Sequence, residues 1–246
     1  MTTDPMGDWQ PSVSSEVGRR ELMRLLGRRE SSDSIADEIA VTVATEIIEG
    51  RLSPGDDLNS VELAKTFESS RTPVREALFV LEREGFVTIP ARRRPHVARH
   101  SLEEIRELYS LRAELYAVVS RDVVRLATED DLERLREHQR GLDKAAEEGD
   151  VDRYFWVNVQ FRNTEVEIAC GETLRRVLDT LGLRALQLRH LSLAQPGRLL
   201  RSAADHARLL EAYEDRDAIL AAALTRSLVL RGFAAIEASG WGGDQS

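Results

Sequence analysis

The sequence predicts a mainly α-helical protein, with an N-terminal unit of three helices and a short hairpin followed by an all-α bundle of about six helices. Before residue 100, helical periodicity gives way to two short β-type segments. From residue 101 onward the periodicity stays helical and no convincing strand appears. Hydrophobic residues make up 42% of the 246 residues and charged residues 31%, which suits a globular core and excludes wholesale disorder.

Composition divides the chain into three segments. Residues 1–30 are rich in Pro, Gly and Ser and are predicted to be a flexible tail, although residues 16–28 could form a short helix. Residues 31–99 are predicted to form the first folded domain, a winged helix-turn-helix, and residues 101–240 the helical domain. A single cysteine excludes a disulfide framework, and no apolar run approaches a membrane span. We therefore expect a cytoplasmic protein with no membrane partner.

Three helices are predicted in the first domain. One follows Ser34 and ends at a Gly-Pro-rich turn, and a short second helix fits residues 60–67. The third has Thr72 as its N-cap and Pro73 at its first position, where the missing N–H would be unpaired anyway. Its apolar stripe consists of Val74, Ala77, Leu78 and Leu81. Two short strands follow at residues 86–89 and 96–98.

Three helices followed by a hairpin outline a winged helix-turn-helix, whose third helix enters the major groove of DNA. Arg71 and Arg75 are four residues apart and project from the face opposite the apolar stripe. Ser70 and Thr72 supply hydroxyl groups at the helix N-terminus, where a phosphate is favoured. The predicted DNA-binding set is completed by Lys65, Arg92, Arg93, Arg94 and His96.

The charge distribution supports this assignment. The whole chain carries a formal charge of −9, which by itself argues against a nucleic-acid partner. Residues 61–99, however, contain eight Lys or Arg against five Glu, a local charge of +3, so the rest of the chain carries −12. Each basic cluster could be merely a solvated surface, but their coincidence with the winged-helix pattern favours DNA binding.

A family resemblance follows from these residues. Residues 70–78, Ser-Arg-Thr-Pro-Val-Arg-Glu-Ala-Leu, resemble the signature of GntR-family transcription regulators, as do Leu81-Glu82 and Glu84-Gly85-Phe86-Val87. The bundle, with Arg112 in its first helix and Phe161 in its third, resembles the FCD effector domain of the FadR subfamily. The resemblance covers about residues 31–240. It implies a dimeric regulator whose bundle binds a small acid and thereby alters operator affinity.

The chain departs from the family pattern at three positions. Glu68 stands where the family has a glycine in the turn before the third helix. A glutamate at positive φ would cost about 1 kcal/mol, which favours a rearranged turn. Val61 replaces an arginine at the start of the second helix, and Arg94 replaces the glycine of the wing.

The resemblance also implies a metal site, because many FCD domains hold a divalent metal with an Asp and a His four residues apart and two later His. The matching positions here are Asn158, Arg162, His206 and Leu228. We therefore predict no metal and no cofactor. Arg162 could instead bind an anionic effector directly, with Arg112, Asn158 and His206 as neighbouring groups. Alternatively, Arg162 pairs with Glu165 or Glu114 and the cavity is vestigial.

Together these features predict a homodimeric, sequence-specific transcription regulator, a repressor, that binds double-stranded operator DNA and a small anionic effector. The chain has no HExxH, no Gly-rich phosphate loop and no GxSxG motif, so we predict that it is not an enzyme. The alternative is an effector-independent DNA-binding regulator whose bundle serves only dimerisation.

Overall fold

The computed structural model describes residues 16–29, 32, 34–169 and 171–241, apart from the side chain of Leu183. These residues form two compact units that divide between Arg99 and His100, and the stretch Gly182–Gln187 groups with the first unit. Over the described ranges, the first unit contains four helices and a two-stranded hairpin, and the second contains six helices.

An additional helix precedes the predicted three. This helix, α1, spans Glu16–Leu25 and packs on the next helix, α2, Ile35–Ile48. Leu22, Met23 and Leu26 are at most 1% exposed. The flexible tail predicted for residues 1–30 is therefore wrong for the described part of that range, because burial of these three side chains holds the segment in place. Residues 1–15 lie outside the described residues.

The helix-turn-helix consists of α3, Ser60–Thr66, and α4, Arg71–Arg83, and α4 packs against both α2 and α3. The N-cap of α4 is Ser70, and the prediction of Thr72 is wrong. Pro73 consequently occupies the third helical position instead of the first. It is tolerated there because the N–H groups of a first turn have no intrahelical acceptor.

The hairpin pairs β1, Val87–Thr88, with β2, His96–Val97, in antiparallel register. The backbone N–H of Ile89 donates to Glu82 Oε1 at 2.9 Å, which attaches the first strand to α4. On the other side, Gly55 N–H donates to the carbonyl of Val97 at 2.9 Å. The hairpin is therefore held between α4 and the turn that follows α2.

The second unit is a helical bundle. Its helices are α5, Leu102–Leu126; α6, Glu129–Glu148; α7, Val151–Ala169; α8, Glu172–Leu193; α9, Arg198–Glu214; and α10, Ala218–Ala238. Ser101 caps α5, accepting from Glu104 N–H at 3.2 Å while Glu104 Oε2 accepts from Ser101 N–H at 2.8 Å. The packing of α5 on α10 is the most extensive between helices, and it buries Ile105, Tyr109 and Ile236. The predicted fold class, a winged helix-turn-helix followed by an all-α bundle, is confirmed.

Helix α10 is unusually apolar. Its mean hydropathy reaches 1.6 over an 18-residue window, so by length and composition it could cross a membrane. The expectation that no segment approaches a membrane span is wrong by this measure. In the bundle α10 packs against α5 and α9 and buries Ala221, Val229 and Ile236. Length and composition alone do not distinguish such a core helix from a membrane span.

Candidate DNA-binding face and ligand cavity

The exposed face of α4 carries four of the predicted DNA-binding residues, Ser70, Arg71, Thr72 and Arg75. The opposite face is buried through Val74, Ala77, Leu78 and Leu81. The side chain of Ser70 makes no capping hydrogen bond, so its hydroxyl can contact a phosphate. Over the residues that the structure describes, neither Arg71 nor Arg75 pairs with a carboxylate. Both guanidinium groups are therefore available to a ligand.

The turn between α3 and α4 is left-handed at Glu68, which has a φ of 46°. The expectation of a rearranged turn is wrong, since the chain keeps the backbone conformation that glycine would favour. The turn is closed by Glu68 N–H donating to Lys65 O at 3.1 Å and Ser69 N–H donating to Ala64 O at 2.9 Å. These bonds, and the packing of both helices, hold the glutamate in a strained conformation.

The hairpin tip is cationic. Arg92, Arg93 and Arg94 are exposed at the tip, and His96 is partly exposed in β2. They line a shallow depression together with Gly55, Arg99 and one acid, Asp57. Lys65 is exposed on α3 and does not line this depression. The structure thus places the predicted hairpin residues on one surface and adds Arg99, which sequence reasoning counted as charge but did not assign to the site.

A cavity of about 40 Å³ lies within the bundle, bordered by α5, α7, α8, α9 and α10. Its cationic lining residues are Arg112, Arg162, Arg189 and Arg198. Its remaining lining residues are Tyr109, Tyr116, Asn158, Ser192, Leu193, Ser202, Leu228, Val229 and Gly232. Of the four predicted effector-binding residues, Arg112, Asn158 and Arg162 line this cavity, whereas His206 does not.

His206 is a positioning residue behind Asn158. Its Nδ1–H donates to the carbonyl of Ser202 at 2.8 Å, so Nε2 accepts from the Asn158 amide at 2.9 Å. Burial, and then the charge of Arg162, lowers the pKa of His206 to about 3, so the ring is neutral. The amide orientation that results presents Asn158 Oδ1 to Arg189 Nη1 at 3.0 Å.

Arg162 is held by a buried ion pair. Its Nη1 donates to Glu165 Oε2 at 2.8 Å, and the hydroxyl of Tyr213 donates to Glu165 Oε1 at 2.5 Å. Arg162 is 4% exposed and Glu165 0%. Glu114, the other candidate partner, pairs instead with Arg226. The pairing with Glu165 leaves Arg162 Nη2 buried without a hydrogen-bond partner.

The cavity carries more positive charge than its surroundings neutralise. Among the described residues, no carboxylate lies at ion-pair distance from Arg112, Arg189 or Arg198. Burial, reinforced by the charge of Arg112, lowers the pKa of Arg189 to about 10, which still leaves it protonated at neutral pH. Arg189 Nε, Arg198 Nε and Ser192 Oγ are buried without partners. The arrangement can therefore bind an anion.

The four positions that the resemblance assigns to a metal do not fit a divalent cation. They present the amide of Asn158, the guanidinium of Arg162, the side chain of Leu228, and a ring of His206 whose two nitrogens are both engaged. In the described ranges, no group of three or more His, Cys, Asp or Glu side chains is placed to hold a metal ion. A permanent guanidinium charge would repel the ion that the family's carboxylate attracts.

Sequence reasoning missed Arg189 and Arg198. Arg189 lies on α8 and Arg198 begins α9, in segments where arginines are frequent and helical periodicity does not separate a buried one from an exposed one. Their convergence with Arg112 and Arg162 depends on the packing of four helices, for which the sequence carries no local signal.

Comparison with known proteins agrees with this architecture. Residues 35–97 match the bacterial regulatory proteins of the gntR family, and residues 107–231 match the FCD domain. The chain is 25% identical to the HTH-type transcriptional repressor RspR of Escherichia coli strain K12 over 175 residues, which cover 70% of this chain and 75% of RspR. It is 28% identical to the HTH-type transcriptional regulator YdhC of Bacillus subtilis strain 168 over 134 residues, 54% of this chain and 60% of YdhC.

Solved structures show the same fold. The structure of E. coli McbR/YncC superposes with a TM-score of 0.73 at 23% identity, covering 85% of this chain and 99% of that one. The relatives named above are transcriptional regulators, and the matched family models are those of transcriptional regulators and not of enzymes. The chain belongs to the GntR family of bacterial regulatory proteins and carries a C-terminal FCD domain.

Proposed function

We propose that this protein is a cytoplasmic homodimeric repressor of the FadR subfamily, whose affinity for operator DNA changes when a small anionic metabolite binds within the FCD domain. The observation that carries the proposal is the cavity lined by Arg112, Arg162, Arg189 and Arg198, where buried hydrogen-bond donors lack partners. Cations without a counter-charge inside a protein are costly, so a protein that retains three of them at one cavity, Arg112, Arg189 and Arg198, gains stability when an anion enters.

The DNA-binding half of the proposal rests on α4 and the hairpin. Arg71 and Arg75 would contact base edges in the major groove, with Ser70 and Thr72 on adjacent phosphates. Arg92, Arg93, Arg94 and His96 would contact the flanking minor groove or backbone, and Lys65 a phosphate. Two copies in a homodimer would bind the half-sites of a short inverted repeat. The sign of regulation is supported by the name of RspR, a repressor.

The direct test begins with selection of the operator from a pool of random duplexes by the full-length protein. Fluorescence anisotropy on that duplex then measures operator affinity with and without small carboxylates and phosphate esters. An effector should change the affinity by 5-fold to 150-fold, the range of ordinary coupling energies, and Arg162→Gln should abolish the change. A protein that binds the duplex equally with every anion is not effector-regulated.

Two observations favour the alternative of an effector-independent regulator. Glu165 already neutralises Arg162 at 2.8 Å, and the cavity is small, at about 40 Å³. In that case the bundle would serve only dimerisation, and the remaining buried donors would be satisfied by water. Under this alternative Arg162→Gln leaves operator binding unchanged both with and without added anions.

A further inference from the structure

We propose that the FCD cavity binds a compact dianion directly through its arginines, without a metal ion. The inference rests on the proposed function and specifies the ligand class of that same site. It is carried by three features of the cavity: its uncompensated charge, its unpartnered donors and its scarcity of free acceptors.

The arginines of the cavity require a ligand with more than one negative charge. Four guanidinium groups line the cavity, and Glu165, bonded to Arg162, balances one of them. A monoanion would leave two desolvated cations without a counter-charge, whereas a dianion leaves one, on a side chain that can reach towards solvent. Arg189 is the most exposed of the four, while Arg112 and Arg198 are 6% and 8% exposed. Water could accept from the unpartnered donors but would bring no charge.

The donors surround the cavity from several helices. Arg162 Nη2 belongs to α7, Arg189 Nε and Ser192 Oγ to α8, and Arg198 Nε to α9. Arg112 on α5 and Arg162 each place a guanidinium carbon 5.3 Å from the ring centre of Tyr116, so these two groups share one aromatic neighbour. Donors on different sides of a small space match a ligand with acceptor oxygens at both ends, or a tetrahedral anion with oxygens on every side.

The buried lining groups without a partner are three guanidinium N–H donors and one hydroxyl, so free donors outnumber free acceptors and the site favours anions. Asn158 Oδ1 accepts from Arg189, and the carbonyl of Ser202 accepts from His206. The apolar lining residues Leu193, Leu228 and Val229 can contact a short hydrocarbon segment. The ligand class is therefore a short aliphatic dicarboxylate or a small phosphate monoester, which share two negative charges on a compact skeleton.

The experiment compares anions that differ in charge and are similar in size. Isothermal titration of the full-length protein, in EDTA and at constant ionic strength, would use succinate against butyrate and methyl phosphate against methyl sulfate. At pH 8 the first of each pair is a dianion and the second a monoanion. The dianion of at least one pair should bind tenfold or more tightly than its matched monoanion. The pair that responds identifies the carboxylate or the phosphate source.

Variants locate the binding. Arg189→Gln and Arg112→Gln should each weaken dianion binding at least tenfold, and either suffices if the other fails to fold. Arg226→Gln is the matched control, because it removes an arginine of the same bundle that pairs with Glu114 outside the cavity. Its dianion affinity should equal that of the parent protein.

Several results would overturn the inference: equal affinity within both pairs, no binding of any probe in EDTA, binding that occurs only when EDTA is omitted, or full affinity in both cavity variants. Operator binding measured on the same samples separates this inference from the proposed function. Dianion binding without an effect on the operator would support the ligand class and contradict effector regulation. Operator release by a monoanion alone would support effector regulation and contradict a dianion as the ligand class.

Discussion

The two units of this protein use arginine in opposite ways. In the first unit Arg71, Arg75 and the hairpin arginines are exposed, so water solvates them until DNA arrives. In the second unit Arg112 and Arg162 are 6% and 4% exposed, so folding has already removed most of their water. The exposed group suits a long polyanion bound with strong salt dependence. The buried group suits a small anion, screened little by salt.

The difference explains why the acidic total charge does not conflict with DNA binding. The formal net charge of −9 is the sum of a basic segment, which presents its cations on a surface, and a strongly acidic remainder. Within that remainder, the cavity is a local exception created by packing. The two units should accordingly respond differently when their charged residues are substituted.

Removing the buried counter-charge should have the largest effect. Glu165→Gln leaves Arg162 buried without its carboxylate, and we expect the free energy of unfolding to fall by about 3–5 kcal/mol. Urea denaturation measures the change. The double variant with Arg162→Met and Glu165→Leu should recover most of the loss, because it removes both charges. If Glu165→Gln were as stable as the parent, the ion pair would not be buried as described.

Loss of an exposed arginine should instead leave stability unchanged and weaken DNA binding. Arg71→Ala and Arg75→Ala should each cost about 1–3 kcal/mol of specific operator affinity, measured by anisotropy on the selected duplex. Arg83→Ala is the control, because it lies on the same helix but pairs with Glu84 at 2.9 Å. Unchanged affinity in both α4 variants would show that this face does not read the operator.

The buried imidazole predicts a pH dependence of stability. His206 has a folded pKa of about 3 against an ordinary value of 6.5, so below pH 6.5 the unfolded chain binds a proton that the folded chain does not. The free energy of unfolding should therefore fall by about 2 kcal/mol between pH 7 and pH 5 through this residue. His206→Gln should remove that part of the decrease. Equal pH profiles for the two proteins would mean that folding does not lower the pKa of His206.

The smallest expected effect concerns backbone strain in the first unit. Glu68→Gly should raise the free energy of unfolding by about 1 kcal/mol, since glycine adopts the φ of 46° without steric cost. Glu68→Ala keeps a Cβ at the same φ and should give no gain. Thermal denaturation of the three proteins decides between them, and a gain in the alanine variant would indicate a charge effect instead of strain.

Much of the first unit could be predicted because its signals are local. The stripe of Val74, Ala77, Leu78 and Leu81 specifies which side of α4 is buried, and the exposed side follows directly. The start of α4 was harder to assign, since Ser70 and Thr72 are both good caps and the preceding turn decides between them. α1 was considered as a short helix within residues 16–28 but was assigned to the flexible tail, because a short helix is stable only when another element covers its apolar side.

The cavity could be predicted only in part. Arg112, Asn158 and Arg162 were found through a resemblance, whereas Arg189 and Arg198 carry no signal in their own segments. Nor does the sequence show that His206 lies behind Asn158 and not at the cavity wall. These relations join residues on different helices, and periodicity describes one helix at a time.

The sequence by itself determined the helix order, the winged-helix pattern and the exposed cations of the DNA-binding face, because each depends on neighbours within a few turns of chain. Tertiary structure alone decided which arginines of the bundle lose their water and converge on one cavity. The physical reason is that a single amphipathic helix determines which side of it is exposed, as at the DNA-binding face. Desolvation of a charged side chain depends instead on every helix packed around it.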